Sequence, residues 1–304
     1  MKQLYKTTVS LVLGILAMIA IPVQAQDLPL RLTLPQGLPI IPIMEGWFAN
    51  DDGSYTISFG FLNRNAEAVE VPVGANNFIE PAQLSGPQAA YFAPGRSYGA
   101  FAITIPANIA DQDIWWHLKT GTEATLKVPG RSTSGAYELD RKARPQGSVQ
   151  PQGWFTAGGA IGTGPEGIIE DLGQSVKVGS EVTLTIHTKD PSMRDASDSR
   201  FKEAMPSRLV WVKHQGPGDV EFTRHESTVV VEQEEQRGRR SYFTDKPEVV
   251  IIQGGEGIAK VNATFSEPGE YVVKTLIDNW RAPDSSGGDQ CCWTNLYQRI
   301  TVTP

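Results

Sequence analysis

The sequence is divided into short runs in which apolar and polar residues alternate, and each run is bounded by residues that favour turns. Alternation with a period of two places the apolar side chains on one face of a β-strand, whereas an amphipathic helix needs a period of 3.6. The 30 glycines and 21 prolines supply the turns between the runs. No amphipathic helical pattern is long enough to cover a parallel sheet. The chain is therefore predicted to be all-β and to form antiparallel β-sandwiches.

The length of 304 residues is more than one hydrophobic core usually organises, so we expect two β-sandwich domains. A stretch rich in Gly, Ser, Pro and Gln predicts a linker at 130–153, between an N-terminal domain at 44–129 and a C-terminal domain at 154–304. Residues 26–43 carry prolines at positions 29, 35, 39 and 42. They are expected to form an extended lead-in, because proline cannot donate a backbone hydrogen bond.

Individual strands can be placed in both domains. Two alternating runs flank Asp51-Asp52-Gly53, a turn sequence that accommodates positive φ and predicts a β-hairpin. The other predicted strands are 98–105, 114–120, 122–128, 176–188, 208–215, 227–233, 248–253, 258–265, 269–279 and 296–303.

The first 25 residues have the organisation of a cleaved signal peptide. Lys2 and Lys6 form a basic start, Val9–Ile21 is almost wholly apolar, and Ala25 is the small residue that precedes cleavage. A retained membrane anchor is the alternative, but the apolar run of about 13 residues is shorter than the roughly 20 that a span needs. No later stretch is apolar enough to span a bilayer, so the mature chain is expected in the periplasm or outside the cell. The net charge of −7 makes nucleic acid a poor partner.

The two cysteines are adjacent, Cys291 and Cys292, and export places them in an oxidising compartment. Neighbouring Cα atoms are closer than an ordinary disulfide requires, so a bond between them is a strained ring. Three states are open: reduced thiols, a bond to another chain, or a vicinal disulfide that rigidifies a loop. A redox-catalytic role is least expected, because no second cysteine pair and no neighbouring Lys or His tunes the thiols.

Sequence motifs give little support to an enzyme. Gly162–Gly167 matches the dinucleotide-binding glycine pattern, but that site needs a helix to follow it, and here β-rich sequence follows, which predicts a loop. Ser199 and Lys202 match the serine acyl-enzyme pattern without its companion motifs. The four histidines lack metal-binding spacing. Catalytic residues brought together from distant positions leave no such trace, so catalysis is left open but not expected.

Several segments of the second domain occur in a characteristic order: Val178-Gly179-Ser180 before EVTLTI, Trp211 within RLVWVKH, and ATFSEPGEYVVKTLIDN at 263–279. In this order they resemble bacterial polycystic-kidney-disease-type (PKD) and related immunoglobulin-like modules. The resemblance implies an immunoglobulin-like β-sandwich, with Trp211 in the core and Tyr271 in a tyrosine corner. Residues 45–65 with Asn77–Pro81 resemble a segment of exported bacterial proteins with no assigned function.

Together these features favour an exported protein that acts by binding or structural interaction, with a protein or a glycan as the ligand. A carbohydrate-binding accessory protein of a polysaccharide-processing system is the alternative, and a periplasmic hydrolase or redox protein is less expected. Trp280 and Trp293 lie in one enlarged loop with Cys291 and Cys292, and these four are the candidate ligand-binding residues. Burial of the two tryptophans as loop anchors is the alternative interpretation.

Two connections, 189–207 and 280–295, are longer than in simple modules. Immunoglobulin-like topology predicts that both lie at one end of the sandwich, with Gly216–Gly218 and Glu267 at the other. Their aspartates offer the hard oxygen ligands that Ca²⁺ prefers, although solvated loop acids are the alternative and no EF-hand spacing is present. No other cofactor is expected. The candidate calcium ligands are Asp190, Asp195, Asp198, Asp278, Asp284 and Asp289.

Overall fold

Strands dominate the residues that the computed structural model describes, which are 36–139, 148–199, 205–229, 246–279 and 292–304. These residues belong to a unit that begins at Pro35. Short 3-10 segments occur at Ala82–Leu84, Ala107–Ile109, Gly135–Tyr137 and Gln253–Gly255. The strands are β1 (Ile41–Ala49), β2 (Tyr55–Asn63), β3 (Val69–Glu70), β4 (Asn77–Glu80), β5 (Tyr91–Phe92), β6 (Gly95–Ile105), β7 (Ile114–Leu118), β8 (Leu126–Gly130), β9 (Gln152–Trp154), β10 (Gly162–Thr163), β11 (Ile168–Lys177), β12 (Glu181–Lys189), β13 (Ser207–Gln215), β14 (Val220–Arg224), β15 (Val249–Ile252), β16 (Glu256–Phe265), β17 (Gly269–Asp278) and β18 (Trp293–Thr303). The all-β prediction is confirmed.

The first apolar core lies between two three-stranded sheets, ordered β1-β2-β6 and β4-β7-β8. Alternate residues of β2, Ile57 and Phe59, point into this core, where Phe59 stacks on Phe101 with ring centroids 5.1 Å apart. Trp116 meets both rings edge-on from the opposite sheet. The predicted hairpin around Gly53 forms from β1 and β2 as expected.

Strand β1 corrects one boundary, because it begins at Ile41, inside the predicted lead-in. Pro42 lies opposite Phe61 in this strand. Strand β1 is at the edge of its sheet, where a missing N–H can face away from the ladder. Proline disfavours a central strand but is compatible with an edge strand, so the extended lead-in ends before Ile41.

The second apolar core lies between two five-stranded sheets, ordered β10-β9-β12-β16-β14 and β11-β18-β17-β13-β15. Trp211 is only 1% exposed at the centre of β13. The Tyr271 hydroxyl donates to the Glu267 carbonyl oxygen at 3.0 Å, which is a tyrosine corner at the start of β17. These features confirm the expected immunoglobulin-like β-sandwich. One pairing is not antiparallel: β11 runs parallel to β18.

Two further segments depart from the predicted strands, and the start of the predicted linker is packed against the first sandwich. The run at 176–188 is divided by a turn at Gly179, so it contributes to both β11 and β12. Residues 227–229 are not a strand, and the rest of 227–233 lies outside the described residues. The start of the predicted linker packs on β1, because the Leu139 N–H donates to the Trp47 carbonyl oxygen at 2.7 Å and Leu139 is buried.

Candidate functional site

The two enlarged connections meet at one end of the second sandwich, around Ser148. The Ser148 hydroxyl oxygen accepts from Arg194 at 3.3 Å and from Asn279 at 3.1 Å, and it lies 3.5 Å from the Cys292 sulfur. The pairing of β13 with β17 places this end beside Asp278 and the opposite end beside Gln215. The described parts of the two connections therefore lie at the same end of the sandwich, as predicted.

Two of the candidate calcium ligands are already engaged by arginine. Asp190 pairs with Arg194 at 2.9 Å, and both side chains are almost buried. Asp278 pairs with Arg208, with both side chains 13% exposed. The carboxylate groups of both aspartates are therefore bound to arginine side chains of the same sandwich.

The remaining aspartates give the calcium prediction no geometric support. Asp195 is exposed, and its carboxyl group accepts hydrogen bonds from the hydroxyl and from the backbone N–H of Ser197. Both hydrogen bonds lower the pKa of Asp195, and the hydroxyl has the larger effect. The described residues, including Asp198, contain no group of three His, Cys, Asp or Glu arranged to hold a metal. Asp284 and Asp289 lie outside the described residues. The calcium site stays a prediction.

Cys292 and Trp293 open the last strand in two different environments. Cys292 is buried, disulfide-bonded, and has φ 80°, a left-handed conformation that is rare for a residue with a side chain. The Trp293 ring lies against Gly99, where a methyl group would collide with it, and Trp293 is half-buried. These contacts favour the anchor interpretation of Trp293. Trp280 and Cys291 lie outside the described residues.

The glycine-rich run at 162–167 serves packing. It leads into β11 and not into a helix, so it lacks the helix N-terminus that holds a pyrophosphate. Gly167 has φ 60°, and a side chain there would collide with the Asn295 backbone carbonyl. The glycine thus permits the close approach of this loop to β18.

A buried polar seam joins the outer faces of the two sandwiches. The Lys274 ammonium on β17 donates to the carbonyl oxygens of Gly99 at 2.7 Å and Ala100 at 3.0 Å, both on β6. The Asn295 amide nitrogen on β18 donates to the same Gly99 oxygen at 3.2 Å. Glu45 accepts from the Gly99 N–H at 2.7 Å. Exposure at Lys274, Asn295 and Glu45 is 4%, 0% and 7%.

Burial shifts the ionisation of three groups along this seam. It lowers the pKa of Lys274 to about 7, with the Glu45 charge opposing the shift. It raises the pKa of Glu45, although the Gly99 N–H and Arg96 at 2.8 Å favour the charged form. Burial, assisted by the Lys274 charge, lowers the pKa of His214 to about 3. His214 is therefore neutral at physiological pH.

A cleft of about 340 Å³ opens where the first sandwich meets the open side of the second. Its volume is at the lower end of the range of small-molecule sites. Strand β14 is at the end of its sheet, so this side of the sandwich is not closed by a further described strand. Aromatic rings and charged groups converge on the cleft: it is lined by Tyr91, Pro94, Trp211, Lys213, Asp219, Phe222, Lys246 and Glu248, among others.

The charges of the cleft are arranged around Lys213. Its ammonium pairs with Glu70 at 2.6 Å, donates to the Gly218 carbonyl oxygen, and lies 5.5 Å from the Tyr91 ring centre. Burial raises the pKa of Tyr91, and Asp219 and Glu70 add to the effect. The Tyr91 hydroxyl therefore stays protonated at neutral pH and is able to donate a hydrogen bond.

Sequence reasoning did not find this cleft. Its residues come from both sandwiches, from β5 to the start of β15, and share no motif spacing. One signal was available: Lys213 occupies a position of β13 whose alternate neighbours, Leu209 and Trp211, are core residues. A lysine at such a position predicts a buried charge with a partner.

Comparison with known proteins gives no family assignment. No family model matches the chain, and no curated protein matches it in sequence. Solved structures with some similarity include the ASH/PapD-like domain 7 of human CEP192 (9% identity, 58% of this chain and 98% of that chain, TM-score 0.25). Others are the D0-D1 domain of intimin (12%, 86% and 97%, TM-score 0.21) and CfaE, the adhesive subunit of the CFA/I fimbria of enterotoxigenic Escherichia coli (10%, 89% and 90%, TM-score 0.21).

These TM-scores are too low to carry an argument, so the fold assignment rests on the strand order and core described above. Within the described residues, no helix is long and apolar enough to cross a membrane.

Proposed function

We propose that the chain is an exported, non-catalytic binding protein that holds a saccharide unit in the cleft between its sandwiches. The cleft is the observation that carries the proposal, because it is concave and combines ring faces with convergent charged groups. Half-buried Tyr91 and Phe222 offer apolar surface for the C–H groups of a sugar ring. Asp219, Glu248 and Lys213 offer acceptors and donors for hydroxyl groups.

Export rests on the leader sequence at 1–25. N-terminal sequencing of the mature protein is expected to begin at Gln26. A first residue of Met1 would contradict export by cleavage.

The ligand class is tested by isothermal titration of the mature protein with a panel of neutral and acidic oligosaccharides. Asp219→Asn keeps the shape of an exposed cleft residue and removes its charge, so binding is expected to weaken by about tenfold, as for one lost charge-assisted hydrogen bond. Asp195→Asn, on the exposed loop at the end of the sandwich, is the matched control and is expected to bind like the parent.

Trp280→Ala tests whether the ligand binds in the cleft or at the loop 280–295. Unchanged binding in this variant supports the cleft. Loss of binding in Trp280→Ala together with full binding in Asp219→Asn would move the site to the loop. No heat with any saccharide would contradict the proposed ligand class.

A further inference from the structure

The seam places a primary amine beside a carboxamide in a site that water does not reach. Lys274 and Asn295 lie on neighbouring antiparallel strands, where Lys274 is opposite Tyr297 and Asn295 is opposite Leu276. Positions 274 and 295 are therefore diagonal neighbours on one face of the sheet. Their side-chain nitrogens share one acceptor, the Gly99 carbonyl oxygen. Both residues are almost completely buried.

The Asn295 amide is held in a defined orientation. Its nitrogen donates to the Pro165 carbonyl oxygen at 2.7 Å as well as to Gly99. Its oxygen is buried and has no hydrogen-bond partner among the described residues. An unpaired buried carbonyl oxygen has a high free-energy cost, and it is free to accept a proton or hydrogen bond as charge develops on it.

The ionisation of the seam favours a nucleophilic amine. Burial lowers the pKa of Lys274 to about 7. In a large fraction of the protein molecules the Lys274 amine is therefore uncharged at neutral pH. Burial raises the pKa of Glu45, whose charge acts on Lys274. Lysine with a lowered pKa is a known type of protein nucleophile.

We propose that Lys274 and Asn295 form an intramolecular amide bond that fastens β17 to β18. The Lys274 Nζ atom, as the free amine, attacks Cγ of Asn295, forming the Nζ–Cγ bond and breaking the Cγ–Nδ2 bond. The proton that Nζ gives up passes to Nδ2, which leaves as ammonia. No oxidant or other reactant is consumed.

The mass of the intact mature protein tests the bond under denaturing, reducing conditions. The expected mass is lower than that of the sequence by one ammonia. Tandem mass spectrometry is expected to find one branched peptide that contains both Lys274 and Asn295. A full, unshifted mass would overturn the proposal.

Cyclisation of Asn295 on its own backbone also releases ammonia, and a variant distinguishes the two reactions. Lys274→Arg keeps a cation but cannot form the bond, so its mass is expected to match its sequence. Lys213→Arg, at a second lysine that is buried among the described residues, is the matched control and is expected to keep the ammonia loss. A loss that persists in Lys274→Arg would refute the bond. If that variant does not fold, the branched peptide of the parent protein still decides the question.

Discussion

His214 is predicted to make the protein less stable in mild acid. It is 3% exposed in the seam, where its Nε2 atom lies 2.8 Å from the Pro87 carbonyl oxygen and its ring lies 5.0 Å from that of Tyr297. Burial is the larger cause of its low pKa, and the Lys274 charge is the smaller. A proton on this ring would therefore enter a site with little solvent, and this cost remains when the Lys274 amine is joined to Asn295 in the proposed amide bond.

The sign and size follow from proton linkage. In the unfolded chain the pKa is near 6.5, whereas in the folded chain it is about 3. As the pH falls below 6.5 the unfolded state takes up a proton that the folded state does not, so stability is present above this pH and is lost below it. The slope is roughly 1.4 kcal/mol per pH unit, which gives a loss of about 2 kcal/mol between pH 7 and pH 5.

Urea denaturation at pH 7 and pH 5 measures this loss in the parent and in His214→Gln. Glutamine reaches a similar position with a donor for Pro87 but does not titrate, so the variant is expected to lose about 2 kcal/mol less than the parent over this interval. Other titrating groups contribute to both proteins and cancel in the comparison. His187→Gln, at a half-buried histidine stacked on Trp154, is the control and is expected to follow the parent. Equal losses in the parent and His214→Gln would refute the reasoning.

Three further predictions concern stability and the disulfide. Tyr271→Phe removes the corner hydrogen bond and is expected to lower the free energy of unfolding by about 1 kcal/mol in urea denaturation, with an unchanged midpoint contradicting that role. Gly167→Ala adds a steric clash at a residue that is already in a left-handed conformation, so its thermal midpoint is expected to fall. Gly164 also has a left-handed conformation, with φ 73°, but has open space beside it, so the midpoint of Gly164→Ala is expected to fall less. Equal midpoints would argue against tight packing at Gly167. Cys291 and Cys292 are predicted to form a vicinal disulfide bond, so alkylation of the unfolded, non-reduced chain is expected to find no free thiol in a monomer. Reduction is expected to leave the thermal midpoint almost unchanged, because so small a ring constrains little entropy of the unfolded chain. Two alkylated cysteines or a linked dimer would contradict it.

Local chemistry determined the sheets. The turn at Gly53, the alternation in β2 and β13, and the order of segments around Trp211 and Tyr271 were sufficient to predict the hairpin, the buried tryptophan and the tyrosine corner. These features depend on contacts within one strand pair or one sandwich. The geometry of the tight turn and the two-residue period predict the hairpin without knowledge of the rest of the chain. The buried tryptophan and the tyrosine corner are what the resemblance to immunoglobulin-like modules implies.

Tertiary structure decided the cleft and the seam. Glu45, Lys274 and Asn295 lie on strands of different sandwiches, and their alternate neighbours along each strand are apolar. Apolar residues on both faces of a strand indicate that both faces are covered, but they do not show which part of the chain covers the second face. Only the packing of one sandwich on the other buries these groups, and burial is what shifts their ionisation and brings the amine of Lys274 beside the amide of Asn295.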